Sequence, residues 1–389
     1  MILAMISICM AAHDVTPLPV QWDLARLEQV PATYPADGFW AEGVQALFYE
    51  GLPFEGRSTR VFAWLGVPER PDGGSVPAMV LAHGGGGTAY DEWVRLWNAR
   101  GYAAIAMDMR GTVPRGDHKG RPTHEYGGPT QFGSATPMLG AMEEYWIFHA
   151  IADIALAHSL LASQPGVDPA RIGLTGISWG GFLTHIAAAV DTRFQFAIPV
   201  YGCGFINELS WKPAFDSMPP DKAEEWMRLW DPSRYVDAIT MPTLWVNAPD
   251  DPHYHLGAYS RSYLRAGGSK TLSVQPGLGH SHHHGWAPKE IYVFADSQVR
   301  GGAPLLRIVA EAEEGTSALA LFEGGTPVSA ELVWTRDASD WSQCAWETAP
   351  ARLQDGRVSV EIPGDCAAYF INLTDKRGLI ASTVCRTRK

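Results

Sequence analysis

The chain has 389 residues and a formal net charge of −12, with 46% hydrophobic and 19% charged residues. That length suits one large domain with a smaller companion, and the apolar share supplies a core that a disordered chain lacks. The acidic balance, with no lysine- or arginine-rich block, argues against a nucleic-acid partner and against charge-driven binding to an anionic membrane.

Residues 1–12, MILAMISICMAA, are apolar apart from Ser7. The run is too short to span a bilayer and lacks the basic region of a secretory signal. A cleaved signal and an ordinary start are equally compatible with it, so a secreted or periplasmic location and a cytoplasmic one stay open. No other stretch is long and apolar enough to cross a membrane.

Further on, RVFAWLGVP (60–68) is strand-like, and AMVLAHGGGG (78–87) is an apolar run closing on four glycines. DEWVRLWNARG (91–101) reads as a helix stopped by glycine, and YAAIAMDMRG (102–111) as a second apolar run. Thr112 to Pro137 is rich in Gly, Pro and charge and too long for a plain connection, which predicts a functional loop or lid. Apolar residues then recur at helical spacing through 144–164. A strand (171–178), a helix (179–191) and a strand (194–202) follow, and the alternation continues through 241–251, 255–268, 270–280 and 288–301.

Short apolar strands separated by helices predict an α/β fold: a mostly parallel, doubly wound sheet buried on both faces, with its site at the carboxyl ends of the strands. From Pro304 onward only short β-rich pieces appear between turns, which predicts a small β-sandwich. The expected organisation is an N-terminal segment 1–44, an α/β domain 45–301 carrying the site, and a C-terminal β-rich domain 302–389.

Gly176-Ile177-Ser178-Trp179-Gly180 fits G-x-S-x-G between a predicted strand and a predicted helix, the setting that pattern requires. The glycines leave room for a sharp bend, which lifts the serine hydroxyl clear of the sheet and aims a helix N-terminus at the reaction centre. A serine hydroxyl needs a base and an orienting acid, in the chain order Ser, Asp or Glu, His. Asp251 ends the first suitable later strand and precedes the proline of a turn; Asp250 is its alternative. His280 ends the next strand after Gly279; His282, His283 and His284 are rivals, His282 foremost. The HSHHH cluster (280–284) has no partner at metal-ligand spacing, and a solvated loop is the expected reading. No metal or cofactor is called for. An oxyanion would be met by the N–H of Trp179 and by that of Gly85 or Gly86, between which the sequence does not choose.

Asp108 and Arg110 are expected to pair structurally. Trp211, Phe215, Trp226 and Trp230 either wall a pocket or fill helix core. Trp334, Trp341 and Trp346 are candidate sugar platforms, though interdomain packing is the favoured use. The five cysteines (Cys9, Cys203, Cys344, Cys366 and Cys385) lack metal spacing; one disulfide near the C-terminus is set against buried free thiols.

HGGGG (83–87), DMRG (108–111), GISWGG (176–181), APDDPHY (248–254) and GLGH (277–280), in that order, resemble the α/β-hydrolase superfamily over roughly residues 45–300. Within it the chain looks like the acetylxylan-esterase, dienelactone-hydrolase and prolyl-oligopeptidase-like group. The resemblance implies a serine carboxylic-ester hydrolase with Ser178 as nucleophile, His280 as base and Asp251 as acid, working through an acyl-enzyme. Its substrate would be a small-molecule or polysaccharide ester, with short acyl groups on a sugar polymer first. A prolyl-oligopeptidase-type peptidase is the second reading, although residues before about 45 are too few for the gating domain usual there. An inactive hydrolase fold serving as a binding module is the third. Trp179 departs from the group, where many members carry a smaller or polar residue.

Overall fold

The computed structural model describes residues 17–69, 73–117 and 120–388; residues 1–12 and Cys9 lie outside that range. Nine strands form the main sheet: β1 (Thr33–Pro35), β2 (Gln45–Glu50), β3 (Arg60–Gly66), β4 (Val76–Ala82), β5 (Ala103–Met107), β6 (Val167–Ile177), β7 (Phe196–Val200), β8 (Thr243–Asn247) and β9 (Lys270–Val274). Their order is β1-β2-β3-β5-β4-β6-β7-β8-β9. From β5 to β9 neighbours run parallel, while β1, β2 and β3 add an antiparallel flank. The strands β4, β5, β7 and β8 are buried at every position, as expected where helices cover both faces.

The helix Trp146–Ala162 is apolar on all sides, and almost every residue is buried. The N-terminal segment explains why a helix outside the sheet needs no polar face. Trp22 Nε1 donates to Phe148 O at 3.0 Å, and Ser159 Oγ donates to Leu27 O at 2.7 Å, so residues 20–27 lie across its outer side.

The C-terminal region forms two antiparallel sheets. One holds β10 (Arg307–Glu314), β11 (Ser317–Glu323), β14 (Arg352–Gln354) and β15 (Arg357–Glu361). The other holds β12 (Pro327–Thr335), β13 (Glu347–Pro350), β16 (Ala368–Asp375), β17 (Ile380–Ser382) and β18 (Arg386–Thr387). Leu332, Val358, Ile371 and Leu373 form a separate small core here. The opposite face of β16, through Phe370, joins the main core.

This region docks beside β9. Val274 N–H donates to Ser382 Oγ at 2.8 Å, Asn372 Nδ2 donates to Val274 O at 3.1 Å, and Ile380 N–H donates to Glu290 Oε1 at 2.8 Å. Asn372 is buried in this contact. Cys203, Cys344, Cys366 and Cys385 are free thiols. Trp334 packs in the small core, whereas Trp341 and Trp346 pack against the main one.

Candidate active site

β6 ends at Ile177 and a helix begins at Trp179, leaving Ser178 alone in the turn at φ 59°, ψ −117°. A non-glycine residue holds such a conformation only when its surroundings over-determine it. They do so here. Ser178 N–H donates to Val200 O at 2.9 Å, and Ser178 O accepts from Phe182 N–H at 2.9 Å. A Cβ on Gly176 would lie 2.2 Å from Gly180 O, and one on Gly180 would lie 2.0 Å from Ala82 O. No side chain fits at either position, which is the physical content of the two glycines in the pattern. The helix Trp179–Val190 points its N-terminus at the serine, and its first-turn N–H groups have no intrahelical acceptor.

Ser178 Oγ lies 3.0 Å from His280 Nε2, and His280 Nδ1 lies 2.6 Å from Asp251 Oδ2. Asp251 Oδ1 also accepts from His253 N–H at 2.9 Å and Tyr254 N–H at 2.7 Å. The buried carboxylate is thus held on both oxygens. With Asp251 as acceptor, the proton sits on Nδ1 and the Nε2 lone pair faces the serine. Tyr201 OH donates to Gly279 O at 2.7 Å, fixing the loop, and its ring lies 4.4 Å from that of His280. Asp250, the alternative acid, is exposed and does not reach the imidazole.

The His282 side chain does not meet Ser178. The short turn His282–Gly285, capped by Ser281, directs it into the glycine-rich loop, where Nε2 accepts from Gly84 N–H at 2.8 Å. Its Nδ1 faces Tyr90 OH at 3.3 Å. Burial, reinforced by the charges of His83, His280 and Arg121, pushes its pKa down to about 3. The expectation of a solvated histidine loop is therefore corrected: His283 and His284 are exposed, but His282 is a neutral internal acceptor.

His83 works similarly. Met109 N–H donates to its Nε2 at 3.0 Å, and its Nδ1 lies 2.8 Å from Gly84 O. Burial lowers its pKa to about 4. Gly87 N–H donates to Gly84 O, and Arg121 Nη1 donates to the carbonyls of Gly86 and Gly87. The N–H groups of Gly84 and Gly87 are therefore occupied, and those of Gly85 and Gly86 have no partner among the described residues. A Cβ on Gly85 would lie 2.9 Å from Trp179 Cδ1.

Trp179 is buried among Trp146, Phe182 and Trp211, at centroid distances of 5.3, 4.9 and 4.9 Å. Of Trp211, Phe215, Trp226 and Trp230, Trp211 reaches the site in this way; Phe215, Trp226 and Trp230 are core, with Trp226 Nε1 donating to Tyr145 OH. The 112–137 connection packs over the glycine loop through Arg121, through Phe132 (4.8 Å from the His83 ring) and through Gly133 beside Trp179. Asp108 and Arg110 do not form the expected ion pair. Asp108 accepts from Thr88 Oγ1, Thr112 Oγ1 and the backbone N–H of Arg110, because the chain turns immediately after β5 and presents amides, not the guanidinium. No cluster of potential metal ligands occurs among the described residues.

A mostly parallel sheet with a serine on a strand-to-helix turn after β6, an acid after β8 and a histidine after β9 defines an α/β hydrolase. Residues 34–246, more than half of the chain, match the acetyl xylan esterase (AXE1) family. The chain belongs to that family, and so among the carboxylic ester hydrolases. The match includes Ser178 and the glycine loop and stops before Asp251 and His280. Residues 214–341 match a family described as PhoPQ-activated pathogenicity-related protein.

Among solved structures, the acetyl xylan esterase from Paenibacillus sp. R4 is similar at TM-score 0.54 and 18% identity, over 71% of this chain and 92% of that one. A Pyrococcus horikoshii acylaminoacyl peptidase is similar at TM-score 0.50 and 18% identity, over 71% of this chain but 43% of that one. Both likenesses concern the fold. The uncharacterized peptidase YuxL of Bacillus subtilis is 26% identical over 207 residues, 49% of this chain and 28% of that protein; the match thus spans less than a third of the relative.

Proposed function

We propose that the protein is a serine esterase that removes short acyl groups, acetyl first, from hydroxyls of a carbohydrate. The observation that carries the reading is the unbroken hydrogen-bonded series Ser178–His280–Asp251 at a strained strand-to-helix turn. Ser178 Oγ attacks the acyl carbonyl as His280 Nε2 takes its proton, and Asp251 holds the imidazole tautomer and stabilises the imidazolium. The N–H groups of Trp179 and of Gly85 or Gly86 meet the oxyanion. His280 then gives its proton to the departing alcohol oxygen. A water activated by the same nitrogen attacks the acyl-enzyme and releases the acid. Family membership supports an ester substrate, and the aromatic packing around Trp179 supports a short acyl group. His282 and Arg121 serve as positioning residues for the glycine loop. The division into an α/β domain 45–301 and a β-rich domain 302–389 is part of the same proposal.

The similarity to a protein described as a peptidase favours amide hydrolysis by the same machinery as a second reading. One panel separates the two: p-nitrophenyl acetate, p-nitrophenyl butyrate, acetylated xylan and a prolyl p-nitroanilide, with wild type and Ser178→Ala. The esterase reading expects acetate turnover to exceed butyrate, no anilide cleavage, and loss of turnover and of fluorophosphonate labelling in the variant. Equal rates for variant and wild type would remove every serine-hydrolase reading.

A further inference from the structure

The proposed reaction fixes where the alcohol half of the ester lies. Its oxygen must come within hydrogen-bond reach of His280 Nε2, the group that returns the proton. The glycine side of Ser178 is filled by Trp179 and its neighbours, so the alcohol has to extend along the flank of His280. On that flank His253 packs edge-on against His280, with centroids 4.8 Å apart at 78°. Behind it opens a cavity of about 540 Å³, walled by His253, His255, Glu208, Ser210, Asp340 and Trp341. The loop at Asp251 and Pro252 borders it too, so the cavity lies beside the segment that carries the enclosed carboxylate.

Three separate parts of the chain build this space: the insertion after β7, the loop after β8, and the C-terminal region between β12 and β13. Their side chains are tied to one another. Ser210 Oγ lies 3.1 Å from His253 Nδ1, and the Trp341 indole lies parallel to the His255 ring at 5.3 Å and 8°. Burial lowers the pKa of both His253 and His255; His255 accepts from Ala258 N–H and turns its Nε2 to Glu208 O, so His253 is the neutral imidazole that offers polar groups to the cavity. The volume is that of a small-molecule pocket, about 300–1,000 Å³. Hydroxyl, imidazole and carboxylate groups around one indole match a neutral polyhydroxylated ring: many donors and acceptors at its edge, C–H groups on its face.

We infer that this cavity is a subsite for the alcohol side of the substrate, taking a neutral sugar ring, and that the C-terminal region completes it through Trp341. The inference rests on the esterase reading. It gives the C-terminal β region a part in choosing the substrate beyond packing.

The test compares kcat/KM on acetylated xylo-oligosaccharides with kcat/KM on p-nitrophenyl acetate, whose alcohol is one flat ring. Wild type, Trp341→Ala and Ser210→Trp are measured; the last fills the cavity from an exposed position without removing a packed ring. The ratio of the two constants is expected to shift about tenfold against the oligosaccharide in both variants, mainly through KM, the scale of one lost aromatic contact. An unchanged ratio in the folded variants overturns the subsite, because a purely structural role lowers both constants together. Wild-type turnover of p-nitrophenyl acetate with none of the oligosaccharide overturns the sugar class. Failure of the esterase reading is seen separately, as wild type inert toward p-nitrophenyl acetate and unlabelled at Ser178.

Discussion

On the glycine side of Ser178 the parts are strand ends locked through backbone groups: Gly84 N–H on His282, Met109 N–H on His83, and the Gly86 and Gly87 carbonyls on Arg121. On the histidine side the wall comes from loops and a separate β region, joined by side chains and enclosing open volume. The contrast teaches a division of labour. Groups that must meet a developing charge gain from being immovable, since preorganised donors need no rearrangement in the transition state. Groups that choose an alcohol can be exchanged without disturbing the chemistry, and loops are where such exchange is tolerated.

The sharpest break in this picture is at the acid. Asp251→Asn is expected to lower kcat by about 10⁴-fold by inverting the imidazole tautomer, while Asp250→Asn stays within about twofold. Steady-state kinetics on p-nitrophenyl acetate decides it, and comparable losses in both variants would reassign the acid. Next is the lock on the glycine loop. His282→Ala is expected to lower kcat by about 10- to 100-fold with little change in KM, part of the cost of losing an oxyanion donor outright. His282→Gln, which keeps an acceptor for Gly84 N–H, recovers part of that loss. An equal rise in KM with kcat intact would mean that His282 binds substrate instead.

The smallest effect concerns acid stability. His83, His149 and His185 have pKa values lowered by burial to about 4, and His282 to about 3. Unfolded, these imidazoles take up protons below about 6.5. Between about 6.5 and 4 the unfolded state therefore binds more protons, so their contribution is complete above 6.5 and is lost as pH falls. Scanning calorimetry from pH 7.5 to 4.5 should show Tm dropping by several degrees below 6.5, and less steeply in His282→Gln. A flat profile would contradict neutral internal histidines at these four positions.

The alternating core was legible because short apolar runs and helical spacing are local signals, and so was the serine turn, whose glycines answer contacts a few residues away. Ser178, Asp251 and His280 follow from the G-x-S-x-G pattern, the chain order and the family resemblance, with Asp250 and His282–His284 left open by the sequence. What escaped the sequence depends on distant partners. Gly84 and His282 are 198 residues apart, and nothing local distinguishes an inward-facing histidine from a solvated one. The β2 strand, QALFYE, went unread because it alternates only partly with its burial. The Asp108 loop failed for the opposite reason: a charge was matched to the nearest opposite charge, when backbone amides were closer. Trp341 was named as an aromatic but could not be placed against His255 without the docking of the two regions.

That docking has a consequence for how the molecule is made. The outermost strand of a sheet offers its bare amides to any neighbouring chain. Here Asn372 and Ser382 engage Val274, six residues ahead of the imidazole at 280. As the ribosome delivers the polypeptide, that flank stays uncovered until residues 372–382 emerge. The segment leading into His280 is thus secured only once those later residues arrive, and a chain cut short of them would leave both that segment unbraced and an adhesive border.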